Sequence, residues 1–241
     1  MTARVSTGAA DHWAVVPAAG IGARMGADQP KQYLSLAGRP VLLHTLDRLL
    51  AAPRVAGLVL ALRADDPYWP TLGYAPGKPL HVVTGGDSRA ASVLAALNHL
   101  AEHTAPDTPV LVHDAVRPLL HPADIARLCE EPLDEHGCLL ATPLTDTIKR
   151  TDGDARIAQT VPRENLWAVQ TPQRFRLAAL RAALSAALAA GVEPTDEAQA
   201  MEHAGLRPRL VAGRRDNLKI TVPQDLPLAQ CLLAAQQAEG V

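Results

Sequence analysis

Short apolar segments alternate with longer helical patterns along this chain, and this alternation restricts the fold more than any other feature. The apolar segments are continuous, as expected for strands that are buried on both faces of a sheet. They lie at 13–18, 58–62, 81–83, 110–113 and 138–141. Helical patterns follow at 40–50, 88–100 and 122–130. Strands that alternate with helices predict an α/β fold, with a mostly parallel sheet and helices on both faces.

The segment at about 145–165 interrupts this alternation. Residues 147–150 and 156–161 are short and extended, and Thr151-Asp152-Gly153-Asp154 lies between them. A DG pair between two extended segments predicts a β-hairpin. We therefore expect a single domain over residues 1–241 with a projecting β-arm.

The last third of the chain continues with helices and strands. Gly191 is expected to end a helix over 177–190, and Thr195 to cap the next helix. Asp196 and Glu197 are interpreted as the start of that helix. The remaining predictions are strands at 209–212 and 218–221 and a final helix from near Pro223.

Composition excludes several classes of protein. Hydrophobic residues make up 48% of the 241 residues and charged residues 20%, which indicates a packed core rather than disorder. The net charge of -2 gives no general attraction to nucleic acid or to an anionic membrane, so we expect neither as a partner. The N-terminus lacks a signal-peptide pattern and no apolar run is long enough to span a bilayer, so we expect a cytoplasmic protein.

The three cysteines, Cys129, Cys138 and Cys231, are odd in number and widely spaced. Their spacing fits neither a disulfide framework nor a zinc site. We expect them to be buried residues of a protein in a reducing compartment.

Three loops at the carboxyl ends of predicted strands carry the chemically informative residues. They span 17–26, 84–89 and 113–118. Ligands of open parallel sheets bind beyond these strand ends. The first loop is rich in glycine, so its N–H groups can approach a phosphate closely, although it matches neither the P-loop nor the GxGxxG pattern. Arg24 and Lys31 accompany this loop, and such a pair of cations suits a polyphosphate.

Seven motifs together resemble those of a known family. The first is PAAGIGARMGADQPKQY (17–33), and the others are GGDSRAASV (85–93), VHDAVRP (112–118), DTIKR (146–150), TPQRF (171–175), TDEA (195–198) and DNLKIT (216–221). In this order they resemble the cytidylyltransferases that act on 2-C-methyl-D-erythritol 4-phosphate in the non-mevalonate isoprenoid pathway. The resemblance covers about residues 13–235. It implies a Rossmann-like, GT-A-like nucleotidyltransferase fold.

The resemblance also implies a role for each matching residue. Residues implied to contact the nucleotide CTP are Ala18, Ala19, Gly20, Gly86, Asp87 and Ser92. The implied catalytic residues are Arg24, Lys31 and Lys219, and Asp114 is the implied ligand of Mg²⁺. The residues implied to hold the polyol phosphate are Arg117, Thr147, Arg163 and Thr171. A homodimer is implied as well, in which the arm brings Arg163 to the partner's site.

The implied reaction is an in-line attack of the polyol phosphate on the α-phosphorus of CTP, with release of pyrophosphate. A phosphate monoester with a second pKa of about 6 is mostly dianionic at neutral pH, so the nucleophile needs no general base. Accordingly, we interpret His113 as a packed or capping residue.

Three alternative functions stay open. One is cytidylyl transfer to another polyol phosphate such as ribitol 5-phosphate. The second is nucleotide-sugar glycosyl transfer, although His113-Asp114-Ala115 lacks the second Asp of a DxD metal motif. The third is a catalytically silent nucleotide-binding protein.

Overall fold

A computed structural model describes residues 11–20 and 29–241. The strands are β1 (His12–Pro17), β2 (Ser35–Leu36), β3 (Arg39–Pro40), β4 (Val55–Leu62), β5 (Leu80–Thr84), β6 (Pro109–Val112), β7 (Cys138–Pro143), β8 (Ile148–Thr151), β9 (Ile157–Val161), β10 (Trp167–Arg176) and β11 (Arg209–Ala212). The helices are α1 (Val41–Ala51), α2 (Arg89–Ala101), α3 (Pro122–Glu130), α4 (Leu177–Ala189), α5 (Glu197–His203) and α6 (Asp225–Ala238). Short 3-10 turns lie at Lys31–Tyr33 and Trp69–Leu72.

Seven strands form the central sheet, in the order β11-β7-β10-β6-β1-β4-β5. β1 lies between β6 and β4 and is parallel to both, with Val15 opposite Val112 on one side and Val59 on the other. β10 is antiparallel to both of its neighbours, β6 and β7. The other neighbouring pairs in this sheet are parallel, so the predicted mostly parallel sheet is confirmed.

Successive side chains of each strand point to opposite faces of the sheet, and each face carries its own hydrophobic layer. Ala14 and Val16 of β1 belong to the layer that includes residues of α1 and α3. Val15 belongs to the layer formed with residues of α2 and α4. Helices therefore cover both faces, as the sequence predicts. A smaller cluster joins α6 to Val116 and Ile220.

One expected strand is absent, and one observed strand is not expected from the sequence. Residues 218–221 are described by the structure and form no strand; the Ile220 N–H donates to the Val116 carbonyl at 2.9 Å, and this contact is not extended into a ladder. In addition, the sequence pattern does not predict β10, because its polar and proline residues interrupt the apolar run. Pro172 cannot donate to a ladder, and the register with β7 shifts between Val169 and Gln173.

Two local details also differ from expectation. The N-cap of α5 is Asp196 rather than Thr195, because the Asp196 carboxylate is the group that accepts the Gln199 N–H, at 2.9 Å. The predicted hairpin is present as β8 and β9, but its turn is wider than a two-residue DG turn. There the Asp152 side chain accepts the N–H groups of Asp154 and Arg156, and Ala155 adopts a φ of 60°.

The cysteines are all free thiols. Cys129 and Cys138 are buried, as expected, whereas Cys231 is exposed, because it lies on the outer side of α6. Across residues 11–20 and 29–241, no helix combines the length and the apolar character needed to cross a bilayer.

Candidate active site

The loops that follow β1, β5 and β6 meet at one edge of the sheet around a cavity of about 200 Å³, which we call the first cavity. The structure thus brings together nine of the predicted site residues. They are Ala18, Ala19, Gly20, Lys31, Gly86, Asp87, Ser92, Asp114 and Lys219.

A second cavity of about 190 Å³ adjoins the first. Arg117 and Thr171, two of the residues predicted to hold a polyol phosphate, line it. The two cavities share Arg89, Asp114 and Lys219 as a common wall. One carboxylate and two cations therefore face both cavities, an arrangement that suits two anionic ligands placed side by side.

Two of the predicted site residues that the structure describes lie elsewhere. Thr147 and Arg163 are exposed at the base of the hairpin, outside the described lining of both cavities. The Arg163 guanidinium donates to the Thr145 carbonyl. Arg24 lies outside the described residues.

Asp114 is the electrostatic centre of the shared wall. Its Oδ2 lies 2.9 Å from the Lys219 ammonium and 3.5 Å from Arg117 Nε, and its Oδ1 accepts from Arg89 Nε at 3.1 Å. Burial alone would raise the pKa of this carboxyl, but the charges of the three cations outweigh burial and hold the pKa well below its usual range. Asp114 is therefore an anion at any pH near neutrality.

Arg89 and Glu197 form an ion pair behind Asp114, and sequence reasoning assigns no role to either residue. The Arg89 guanidinium donates to both Glu197 oxygens, at 2.6 and 3.1 Å, and Glu197 is fully buried. Burial alone would lower the pKa of Arg89, but the charges of Glu197 and Asp114 raise it above the usual range. Glu197 thus fixes the Arg89 guanidinium in the position from which it donates to the Asp114 carboxylate. The sequence feature that could have identified these two residues is their place in two of the family motifs, Arg89 in GGDSRAASV and Glu197 in TDEA. Membership of a motif does not show that the two side chains meet.

A directed hydrogen-bond chain runs beneath Asp114. The Asp114 N–H donates to Thr171 Oγ1 at 3.1 Å, and this hydroxyl lies 2.9 Å from His113 Nδ1. His113 Nε2 lies 3.1 Å from the Arg117 carbonyl, which can only accept. His113 must therefore carry its proton on Nε2 and accept the Thr171 hydroxyl at Nδ1.

Burial lowers the pKa of His113 to about 4, which agrees with this neutral tautomer. His113 is thus a packed residue, as interpreted from the sequence. Thr171 is buried and its hydroxyl is engaged in this chain, so it positions the Asp114 backbone rather than simply facing a ligand.

Arg117 is buried and keeps one donor without a hydrogen-bond partner. Its Nη1 donates to the Asn217 carbonyl at 2.6 Å, whereas Nε has no hydrogen-bond partner among the described residues. Buried polar atoms rarely remain unpaired. A ligand oxygen in the second cavity would give this donor a partner.

The GGDS loop packs too closely to accept side chains at its two glycines. A Cβ at Gly85 would lie 2.7 Å from Ser92 Oγ, and one at Gly86 would lie 2.5 Å from the Ala91 Cβ. Ser92 is buried, and its hydroxyl donates to the Ser88 carbonyl at 2.9 Å. The loop therefore presents mainly backbone to the first cavity.

Gln32 is another residue to which sequence reasoning gives no role. It is buried in the PKQY segment, and its Nε2 donates to the Ala18 carbonyl at 2.8 Å and to the Gly20 carbonyl at 3.3 Å. Both bonds hold the start of the glycine-rich loop against the turn that carries Lys31.

Comparison with known proteins shows a single family. The family described as 2-C-methyl-D-erythritol 4-phosphate cytidylyltransferase matches residues 12–235. The protein of that name from Halorhodospira halophila is 56% identical over 232 residues, covering 94% of this chain and 96% of its own. Its counterpart from Pseudomonas aeruginosa is 54% identical over 216 residues, covering 89% and 92%.

Solved structures agree with these sequence relatives. The Francisella tularensis enzyme of this name superposes with a TM-score of 0.78 at 33% identity, covering 92% of this chain and 99% of its own. The Thermus thermophilus enzyme gives 0.72 at 35% identity, covering 91% and 97%. This chain belongs to the 2-C-methyl-D-erythritol 4-phosphate cytidylyltransferase family.

Proposed function

We propose that this chain transfers a cytidylyl group from CTP to 2-C-methyl-D-erythritol 4-phosphate, and that it does so as a Mg²⁺-dependent homodimer. The nucleotidyl transfer and its place in isoprenoid biosynthesis follow from the family to which the chain belongs. One observation supports the arrangement of the two substrates above all. The two cavities share the wall formed by Arg89, Asp114 and Lys219.

The reaction forms one P–O bond and breaks another. An oxygen of the acceptor's dianionic phosphate attacks the α-phosphorus of CTP, and the bond from that phosphorus to the β-phosphate oxygen breaks. Pyrophosphate leaves with the electron pair, so no proton has to be removed from the nucleophile. The chain's task is to hold two anions together and to neutralise the charge that develops during transfer.

Lys31 and Lys219 are suited to this task by their positions. Lys31 lines the first cavity beside the glycine-rich loop, where it would bind the triphosphate. Lys219 lines both cavities, so its ammonium can contact the acceptor phosphate and the α-phosphate in turn. Arg24 belongs to the same loop in the sequence and would complete the triphosphate site.

The residues of the first cavity fit a magnesium ion. Asp114 and Asp87 both line it, and Mg²⁺ binds through one or two carboxylates together with substrate phosphates and water. A carboxylate has about four acceptor positions, so Asp114 can accept one more partner beside its three cations. When bound, the ion would supply positive charge to the phosphate oxygens.

The second cavity would hold the acceptor. Arg117 lines this cavity, and its Nε is ion-paired with Asp114 at 3.5 Å but makes no hydrogen bond; Lys219 offers a second cation. Thr195 and Asp196 at the start of α5 line the opposite part of this cavity and provide hydroxyl and carboxylate groups for a polyol. This set of groups favours a small polyol phosphate over a sugar nucleotide.

Exposed apolar residues support a homodimer formed through the arm. Ile157 on β9 is 65% exposed, and Trp167 and Val169 in the adjoining half of β10 are 37% and 42% exposed. A second copy of the chain would cover such side chains. Arg163 and Thr147 lie on the same arm, so the partner's site is the place where they would act.

A cytoplasmic location is part of the proposal. It is supported by the use of CTP as substrate and by the three free cysteines, which are typical of a reducing compartment.

The test of this function is pyrophosphate release from CTP with 2-C-methyl-D-erythritol 4-phosphate, with ribitol 5-phosphate, or with no acceptor. We expect release with the first acceptor at a kcat/KM well above that with the second, and none without an acceptor. UTP and ATP at subsaturating concentration serve as nucleotide controls. Equal turnover with UTP, or with ribitol 5-phosphate, would contradict the proposal.

A further inference from the structure

A group of metal-binding side chains lies away from the active site. His81 is on the edge strand β5, His99 is near the end of α2, and Glu102 and His103 follow directly after that helix. We call these four residues the histidine cluster. β5 and α2 are joined by the GGDS loop at their other ends, so the cluster and the first cavity lie at opposite ends of one β-loop-α unit.

Three side chains of the histidine cluster are close enough to share one ion, and His81 adjoins them through His99. His99 Nε2 lies 2.9 Å from His81 Nδ1. The ring centroids of His99 and His103 are 4.7 Å apart. Ligand atoms of His99, Glu102 and His103 all lie within 4.8 Å of one another.

Local structure accounts for this placement. His99 and His103 are four residues apart, so one helical turn brings both to the same side. His81 packs edge-on against Trp13 of β1, with ring centroids 5.5 Å apart, and this contact directs its ring toward the helix. Trp13 itself fills the space that Gly57 leaves open, because a Cβ at that position would lie 2.7 Å from the indole. The three rings are therefore set by packing from three elements.

We propose that the histidine cluster is a binding site for one Zn²⁺ ion. His99, Glu102 and His103 supply two imidazole nitrogens and one carboxylate oxygen, a three-residue set of the kind that zinc binds in tetrahedral geometry. His81 lies next to this set and would supply the fourth ligand once its ring turns toward the ion. Two nitrogens that each lie about 2.0 Å from a tetrahedral ion are about 3.3 Å apart, so the His81 and His99 rings need to separate by a few tenths of an ångström and to turn so that both nitrogens face the ion. Imidazole ligands also distinguish this site from the carboxylates of the first cavity, which suit Mg²⁺.

The ion would replace the hydrogen bond between His81 and His99 by coordination bonds, and these would link β5 to α2. It would join the start of β5 to the end of α2, the two elements that present Gly86 and Asp87 to the first cavity. We therefore expect zinc to stabilise this part of the fold without taking part in the transfer reaction. An ion that binds the folded chain and not the unfolded chain stabilises the fold, and the melting temperature rises as the free ion concentration exceeds Kd.

The experiment is a titration of the metal-stripped full-length protein with Zn²⁺, in which isothermal titration calorimetry measures binding. Excess Mg²⁺ is present throughout, so that the carboxylates of the first cavity are already occupied. Co²⁺ is titrated in parallel, because its visible absorption reports tetrahedral nitrogen and oxygen ligation. The variants are His103→Gln and His81→Asn. The matched control is His203→Gln, which changes an exposed histidine in the last turn of α5, outside the cluster.

We expect one Zn²⁺ per chain, a tetrahedral Co²⁺ spectrum and a rise in melting temperature. Each cluster variant should weaken zinc binding by at least tenfold, while His203→Gln leaves it unchanged. His103 is exposed, so its replacement is not expected to disturb folding. Binding that is equally strong in His103→Gln and in the control, or no saturable binding to the unaltered chain, would overturn the proposal. An octahedral Co²⁺ spectrum would overturn it too.

Discussion

The Lys219 ammonium lies 2.9 Å from the Oδ2 atom of Asp114, in the wall that separates the two cavities of the site. This ion pair holds the lysine side chain in place before any phosphate binds. It also means that Asp114 does two things: it orients the cation that both substrates need, and it offers a carboxylate to a metal ion.

Lys31→Ala is expected to lower kcat by about 100-fold or more, because a preorganised charge stabilises the transition state more than the bound substrate. Steady-state kinetics with CTP varied at saturating acceptor would measure the change. Lys78→Ala is the matched control, since Lys78 donates to the Ala52 carbonyl, outside both cavities. A rise in KM for CTP with kcat unchanged would show that Lys31 serves ground-state binding alone.

Glu197→Gln is expected to reduce the free energy of unfolding by about 3 kcal/mol, because the partly buried Arg89 charge loses one of its two carboxylate partners and keeps Asp114 alone. Urea unfolding measures this change. The same variant should lower kcat/KM, since Arg89 braces Asp114. Glu202→Gln, an exposed change on the same helix, is the control and should alter neither quantity. Unchanged kcat/KM in a folded Glu197→Gln protein would remove the proposed link to the site.

Thr171→Val removes one hydroxyl with little change of shape. The Asp114 N–H and His113 Nδ1 then lose their partner, at a cost of about 1–3 kcal/mol for each buried unsatisfied group. We expect kcat to fall by about tenfold or more, because Asp114 loses its fixed position. Thr171→Ser keeps the hydroxyl and should recover most of the activity. Equal loss in both variants would indicate that the methyl group, rather than the hydrogen bond, is what matters.

Stability is expected to fall as pH is lowered from about 6.5 to about 4. Burial lowers the pKa of both His113 and His12 to about 4, whereas both titrate near 6.5 when unfolded. The unfolded chain therefore binds more protons in this window, and each histidine can contribute up to about 3 kcal/mol to the loss.

Urea unfolding at intervals between pH 7 and pH 4 measures that loss. Nitrogen-15 NMR of His113 should show a neutral ring protonated on Nε2 at pH 6. A His113 resonance that titrates near pH 6.5 in the folded protein would contradict the buried hydrogen-bond chain.

Subunit mixing tests the proposed role of Arg163 in the partner's site. Arg24→Ala and Arg163→Ala chains, each inactive alone, are combined in equal amounts. Half of the dimers are then mixed, and each mixed dimer has one intact site if Arg163 acts across the interface, so about a quarter of the activity returns. If Arg163 acts within its own chain, every site carries one lesion. No recovery, with exchange confirmed by a size tag on one chain, would reject the cross-subunit role.

Much of the fold could be predicted from the sequence, because the signals are local. Buried parallel strands such as β1 and β4 are short apolar runs, and the loops that follow β1, β5 and β6 must meet where parallel strands end. Most of the first-cavity residues were found in this way, together with a family resemblance carried by motifs at those loops.

The antiparallel strand β10 could not be predicted from local apolar runs. Its sequence mixes Gln, Pro and Arg with apolar residues, and its place between β6 and β7 depends on pairing with strands distant in the chain. The position of β10 between β6 and β7 also places Thr171 beneath Asp114, so the family resemblance identified the residue but not its buried contacts.

What the sequence by itself determined was the class of fold, the edge of the sheet at which ligands bind and the kinds of charge that gather there. The tertiary structure alone decided which charges face each other. Arg89 and Glu197 are 108 residues apart, and no local pattern pairs them. Such pairs form because burial of each charge is costly unless an opposite charge meets it, and which partner is in reach depends on how the helices pack on the sheet.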